Sequence, residues 1–208
     1  GGNISNFIAS LAKANAALSV TLTAIATTFA AFLTPINFTL WANLYADTQP
    51  LLIAFDVNFL DMLKTGFILL GIPLILGLSF KYKFPKTTAK ITPPIQKLSL
   101  VIFIAFIAFA LLGNWNNFME VINFIFLLVL VHNVIAFFVG YGIGQLFGFE
   151  KADKRTLAIE TGIQNAGLGL IIALNFFDGL GGMAIILAWY GIWDMIAGLG
   201  LAFFWSKK

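Results

Sequence analysis

The stretch Thr156-Leu-Ala-Ile-Glu-Thr-Gly-Ile-Gln-Asn-Ala-Gly-Leu-Gly169 decides how the rest of the chain is read. It follows Lys154 and Arg155 and runs on into the mostly apolar residues 170–177, so it belongs to a segment of membrane-spanning length. Within it stand one carboxylate (Glu160), two amides (Gln164 and Asn165) and three glycines (Gly162, Gly167 and Gly169). A carboxylate in hydrocarbon is costly, and such residues face a protein-lined cavity and meet a cation or a donor. Glycine weakens a helix, and side-chain amides can bind the backbone groups that a break sets free. The stretch therefore predicts a broken helix over 154–177. At membrane depth, irregular backbone is tolerated where protein buries it or where it lines a cavity. The competing reading places Glu160 near the membrane surface, reaching water or Arg155.

The composition agrees. Of 208 residues, 60% are hydrophobic, 10% are charged and 23 are phenylalanine, with a mean hydropathy of +0.95. A soluble domain carries about 25% charged residues to wet its surface. The class is an all-α integral membrane protein set in a lipid bilayer. Without cysteine there are no disulfides, thiolate metal sites or cysteine nucleophiles. Neither His-Glu-x-x-His nor Gly-x-Ser-x-Gly occurs, which weighs against an enzyme.

A spanning helix needs about 20 mostly apolar residues. Six stretches qualify or nearly so: 16–44, 60–80, 98–113, 118–149, 156–177 and 180–205. A half-helix, 5–13, precedes them. Lys13, then Lys81, Lys83, Lys86, Lys90 and Lys97, then Lys151, Lys154 and Arg155, and finally Lys207 and Lys208 fall in alternate loops. Eleven of the twelve basic residues thus share one side of the membrane, while Asp47, Asp56, Glu120 and Asp178 lie opposite. The positive-inside rule makes the basic side, with the C-terminus, cytoplasmic. The net charge of +3 follows from those loops and implies no nucleic-acid partner. Residues 81–97, with Pro85, Pro93 and Pro94, read as a linker. The organisation is then 1–48, a half-helix and a core helix; 49–115, a helix pair with that linker; and 116–208, further core helices.

The opening Gly1-Gly2-Asn3-Ile4-Ser5-Asn6 repeats the glycine–polar character of the first stretch, and a short apolar piece follows it. Ser5 or Asn6 is read first as a helix cap. Two such breaks, each followed by a half-helix and a complete span, point to an inverted-repeat secondary transporter. Asn15, Ser19, Thr23 and Thr27 recur every four residues and share a helical face. Singly they glue helices together; as a stripe they are candidate oxygen ligands for a hard cation. Asp194, in Tyr190-Gly-Ile-Trp-Asp-Met195, is a second intramembrane acid, read evenly as site residue or helix-contact residue. His132, beside Asn133, reads as a packing residue.

Gly2-Asn-Ile-Ser-Asn6, Ala12-Lys13-Ala-Asn15, Ala17-Leu-Ser-Val-Thr-Leu-Thr-Ala24 and Leu33-Thr34-Pro35, together with Arg155-Thr-Leu-Ala-Ile-Glu-Thr-Gly-Ile-Gln-Asn-Ala-Gly167, resemble the bile acid:sodium symporter family. The resemblance covers the whole chain. It implies two inverted repeats with crossed discontinuous helices, and a chain that lacks about three and a half N-terminal helices. It implies two sodium sites: one from Ser5, Asn6, Ser19, Thr23 and Glu160, the other from Glu160, Gln164, the carbonyls of Thr161 and Ile163, and a group outside this chain. The substrate, a small organic anion of the bile-acid, pantoate or keto-acid kind, would lie near Asn3 and Asn165, with Asp194 close by. Two positions depart from the family's pattern. Threonine is common where Asn3 stands, and many bacterial members read Trp-His-Asn where this chain has Trp193-Asp194-Met195. The expected function is sodium symport by alternating access, in the inner membrane of a bacterium. Proton coupling or export, or a fragment that does not transport, is the alternative.

Overall fold

The computed structural model describes residues 3–113, 115–178 and 181–207. Among the described residues all regular structure is helical. In chain order these are α1 (Asn3–Leu11), α2 (Ala16–Leu44), a 3-10 turn at Ala46–Thr48, α3 (Gln49–Ala54) and α4 (Phe59–Gly66). A π turn, Phe67–Gly71, joins α4 to α5 (Ile72–Lys83). Then come α6 (Pro85–Leu112), α7 (Trp115–Leu146), α8 (Lys151–Gly162), α9 (Ala166–Phe176) and α10 (Gly181–Ser206). The chain is an all-α membrane protein.

Five helical stretches among the described residues are long and apolar enough to span: Ala16–Leu44, Phe59–Lys83, Trp115–Leu146, Lys151–Phe176 and Gly181–Ser206. The third stretch expected from the sequence, 98–113, is not among them; it forms the apolar end of α6. The expected linker 81–97 is also largely helical. Only Phe84 separates α5 from α6. Pro85 opens α6, where a missing N–H costs nothing because first-turn donors have no helical partner. Pro73 is accommodated differently. Its ring would crowd the carbonyl four residues back, and the wider π turn just before it relieves that contact.

The described residues form two compact units: one from the start of the description to Thr23 together with Val101 onward, the other from Ala24 to Leu100. The first holds α1, the start of α2 and α7–α10. Its core joins Ile8 and Ala9 of α1 and Ala12 just after it to Ile159 of α8, Ile163 just beyond α8 and Ala202 of α10. A second cluster packs Phe118, Ile125 and Val129 of α7 against Ile185 of α10. In the second unit, Gly66 of α4 lies close to α2, where a Cβ would come within 3.0 Å of the Ala31 carbonyl.

Helices α7 and α8 approach closely through Gly140 and Gly144, a small-xxx-small spacing of the kind that lets membrane helices meet. A Cβ on Gly140 would lie 2.4 Å from the Leu157 carbonyl oxygen and 2.9 Å from the Ala158 Cα. One on Gly144 would meet the Lys154 Cα at 3.1 Å. Gly142 has nothing within 4 Å. Gly140→Ala should therefore lower the stability of the detergent-solubilised protein by about 1–3 kcal/mol. Gly142→Ala should leave it unchanged or raise it slightly. Equal thermal midpoints for the two variants would contradict this packing.

Candidate functional site

Three elements of the first unit meet around Glu160. Helix α1 brings Asn6, α2 brings Ser19 and Thr23 on one face, and α8 brings the carboxylate. The α1–α2 turn fixes the first two relative to each other. Lys13 adopts the left-handed conformation (φ 52°), and the Ala14 N–H bonds to the Ala9 carbonyl at 3.0 Å, closing α1 as a Schellman turn. Arg155, buried at 4% exposure, donates from Nη1 to the Ala12 carbonyl at 2.9 Å, and its guanidinium lies 5.6 Å from the Trp205 ring. A cation at a helix C-terminus is the favourable sign.

Asp153, Thr156 and Glu160 share a face of α8 and meet Asn15, just before α2, and Ser19 and Thr23 of α2 in register. Asn15 donates from Nδ2 to Asp153 Oδ1 at 2.8 Å and from its backbone to Thr156 Oγ1 at 2.9 Å, while its Oδ1 accepts from the Leu18 N–H at 3.0 Å. It is therefore the N-cap of α2 and a helix-to-helix tie. The next two rungs differ. Ser19 Oγ lies 2.8 Å from Asn6 Oδ1 and 2.5 Å from Glu160 Oε1. Thr23 Oγ1 lies 3.1 Å from Asn6 Oδ1 and 2.9 Å from Glu160 Oε2. Ser19 is fully buried, and so is Ser5, which neighbours Asn6 on α1.

Each hydroxyl carries one proton and faces two acceptors, so these four contacts have two protons between them. Oxygens crowded in this way suit a cation. Glu160 stands in the last turn of α8, where the helix dipole opposes a carboxylate and favours positive charge. One carboxylate with neutral oxygens fits a small monovalent ion. Among the described residues no three His, Cys, Asp or Glu side chains cluster as a multivalent metal would want.

Beyond Glu160 the helix breaks. Ile163 is extended (φ −82°, ψ 118°), and Asn165 starts α9 by accepting from the Leu168 N–H at 3.0 Å. Gln164 and Asn165 are exposed. Gln164 folds its amide back, Nε2 donating to the Thr161 carbonyl at 2.7 Å. Asp194 of α10, 2% exposed, accepts the Gln164 backbone N–H at 2.7 Å and the Asn133 Nδ2 at 3.0 Å. Asn133 also donates to the Gly162 carbonyl at 3.0 Å. His132 meets the Tyr190 hydroxyl. Asn3 begins α1 but its side chain, like Gly1 and Gly2, lies outside the described residues.

Sequence reasoning named Asn133 only as a neighbour of His132. The available signal was an amide in the most apolar span of the chain. It also grouped Asn15 with Ser19 and Thr23, although Asn15 precedes the helix and so is placed to cap it.

Fold and site define a class: an all-α integral membrane protein whose discontinuous helix carries a carboxylate into a cluster of neutral oxygens. Residues 1–121 match the model of the Sodium Bile acid symporter family. Over 208 residues, the whole of this chain and 61% of the relative, the sequence is 32% identical to the "Uncharacterized sodium-dependent transporter YocS" of Bacillus subtilis. It is 26% identical to the "Probable sodium/metabolite cotransporter BASS1, chloroplastic" of Arabidopsis thaliana, again over the whole chain and 49% of the relative. Against the human "Ileal sodium/bile acid cotransporter" it is 25% identical over 85% of this chain and 49% of the relative. The chain belongs to the sodium bile acid symporter family, a family of transporters. It spans about half to three-fifths of the length of these relatives.

Asn15→Ala removes a cap and an interhelical tie without removing an oxygen from the cluster around Glu160. It should cost about 1–2 kcal/mol, as lost caps do, read as a lower midpoint of detergent unfolding. An unchanged midpoint would contradict the assignment of Asn15 as a cap.

Proposed function

We propose that this chain forms the ion-binding part of a sodium-coupled transporter of a small organic anion that works by alternating access. The observation that carries the reading is the meeting of Asn6, Ser19 and Thr23 around both oxygens of Glu160. In this reading Na+ enters among those oxygens and neutralises Glu160, tying α1, α2 and α8 together, with Ser5 completing the shell. Asn6 provides a switch. With its Oδ1 turned inward the cluster suits a cation; with Nδ2 turned inward, the amide would donate to both hydroxyls and the cluster would close without an ion. A second Na+ would take Glu160, the Gln164 amide oxygen and the carbonyls of Thr161 and Ile163, displacing the Gln164 Nε2 that now covers Thr161. Its remaining ligand would come from outside this chain.

The relatives' names support sodium as the coupled ion. The substrates in those names differ, from bile acid to metabolite. The anion would sit by Asn3 and Asn165, where the N-terminus of α9 favours negative charge. The halves on either side of residues 81–97 would belong to two inverted repeats. The lysine-rich loops would face the cytoplasm.

Coupling follows if the ion binds one conformation better than the other. Two Na+ with one monovalent anion carry one net positive charge inward, so an inside-negative potential of 100 mV would add about 2.3 kcal/mol of driving force. The test is uptake by the full-length protein in proteoliposomes, using a panel of labelled monocarboxylates that includes a bile acid, pantoate and pyruvate. Accumulation should require an inward sodium gradient and rise with inside-negative potential. Glu160→Gln should abolish it, and Ser19→Ala or Thr23→Val should lower sodium affinity about tenfold or more. Uptake driven by a pH gradient without sodium, or indifferent to Glu160→Gln, would overturn the reading.

A further inference from the structure

We propose that Asp194 and Asn133 are positioning residues that hold the helix break open in the geometry sodium binding needs; this rests on reading the Glu160 cluster as a sodium site. In an uninterrupted helix through residues 160–166, the Gln164 N–H would donate to the Glu160 carbonyl and the Gly162 carbonyl would accept from the Ala166 N–H. Neither bond is made. The Asp194 carboxylate takes the Gln164 N–H at 2.7 Å, and the Asn133 amide supplies the Gly162 carbonyl at 3.0 Å. A third bond, Asn133 Nδ2 to Asp194 Oδ1 at 3.0 Å, joins the two side chains.

Buried backbone groups need partners, so an open break is stable only where such substitutes exist. Asn133 and Asp194 supply them from α7 and α10, and neither belongs to the expected ion shell. Their burial supports the assignment. Asn133 is 1% and Asp194 2% exposed, so neither is presented to a solute. Both Asp194 oxygens are already engaged by N–H donors. This assigns Asp194 a part different from the substrate contact that its place in the sequence implied. The pair sets where α8 ends, and hence where Glu160, Thr161 and Gln164 stand relative to one another.

The test uses the full-length protein and Na+ alone as the probe, with choline as the replacing cation. Two quantities are read: the thermal midpoint without sodium, and the sodium concentration giving half the maximal rise in midpoint. Asp194→Ala and Asn133→Ala should each raise that half-saturation roughly tenfold or more, as expected for losing hydrogen bonds to a charged group. The double variant should add little, because both residues serve one element. Asp194→Asn, which keeps an acceptor for the Gln164 N–H but turns an NH2 group toward the Asn133 amide, should recover part of the response. Asn133→Ala carries the test alone if the Asp194→Ala protein does not fold. A lowered sodium-free midpoint with unchanged half-saturation would overturn the proposal in favour of packing. Unchanged half-saturation with a raised KM for a transported carboxylate would overturn it in favour of substrate contact. A wild-type protein without any sodium response would instead defeat the underlying sodium reading.

Discussion

Glu160 is placed where a negative charge has three reasons to be unstable. It lies in an apolar, membrane-length segment, in the final turn of a helix whose dipole points the wrong way, and close to an amide oxygen that faces the same two hydroxyls. Each of these penalties is removed by one positive charge among the oxygens. The rest of the first unit can be understood as the means of keeping that arrangement from relaxing. The α1–α2 turn, closed at Lys13 and anchored by Arg155, holds Asn6 beside Ser19 and Thr23. The glycines of α7 let α8 pack closely against it. Asp194 and Asn133 keep α8 from continuing into α9.

The polar residues of the site thus divide into those gathered around the carboxylate and those that tie helices at either end of it. Asn15 with Asp153 and Thr156 forms the tie on one side, and Asn133 with Asp194 forms the tie on the other. Such ties are expected where hydrophobic burial gives no net drive for helices to associate within lipid, so that close packing and hydrogen bonds carry the association. They also make the cluster around Glu160 sensitive to helices that contribute no oxygen to it. A conformational change that separated α8 from α2, or closed the break, would disperse the cluster, and this is the property a coupled carrier needs.

Much of the fold was legible because the membrane simplifies the code. Long apolar runs bounded by lysines marked α2, α7 and α10 to within a few residues, and the glycine–amide stretch after Glu160 marked the break between α8 and α9. What was not legible depended on tertiary pairing or on weak local preference. Residues 85–97 carry two interior prolines and three of the basic residues assigned to loops, yet lysine, alanine and glutamine there are good helix formers and the helix continues. That Asn15 is a cap depends on where α2 begins. Asp194 and Asn133 lie 61 positions apart, and no spacing rule joins them. The Glu160 cluster was readable through the family resemblance and the four-residue periodicity of Ser19 and Thr23; nothing in the periodicity alone distinguished them from Asn15.

The central claim is that a sodium ion belongs among Asn6, Ser19, Thr23 and Glu160. Equilibrium binding of radioactive 22Na+ to the purified full-length protein in choline buffer addresses it without any assumption about substrate. The account predicts saturable binding that Glu160→Gln eliminates and Thr23→Val weakens. Saturable binding that survives Glu160→Gln at wild-type affinity would contradict it.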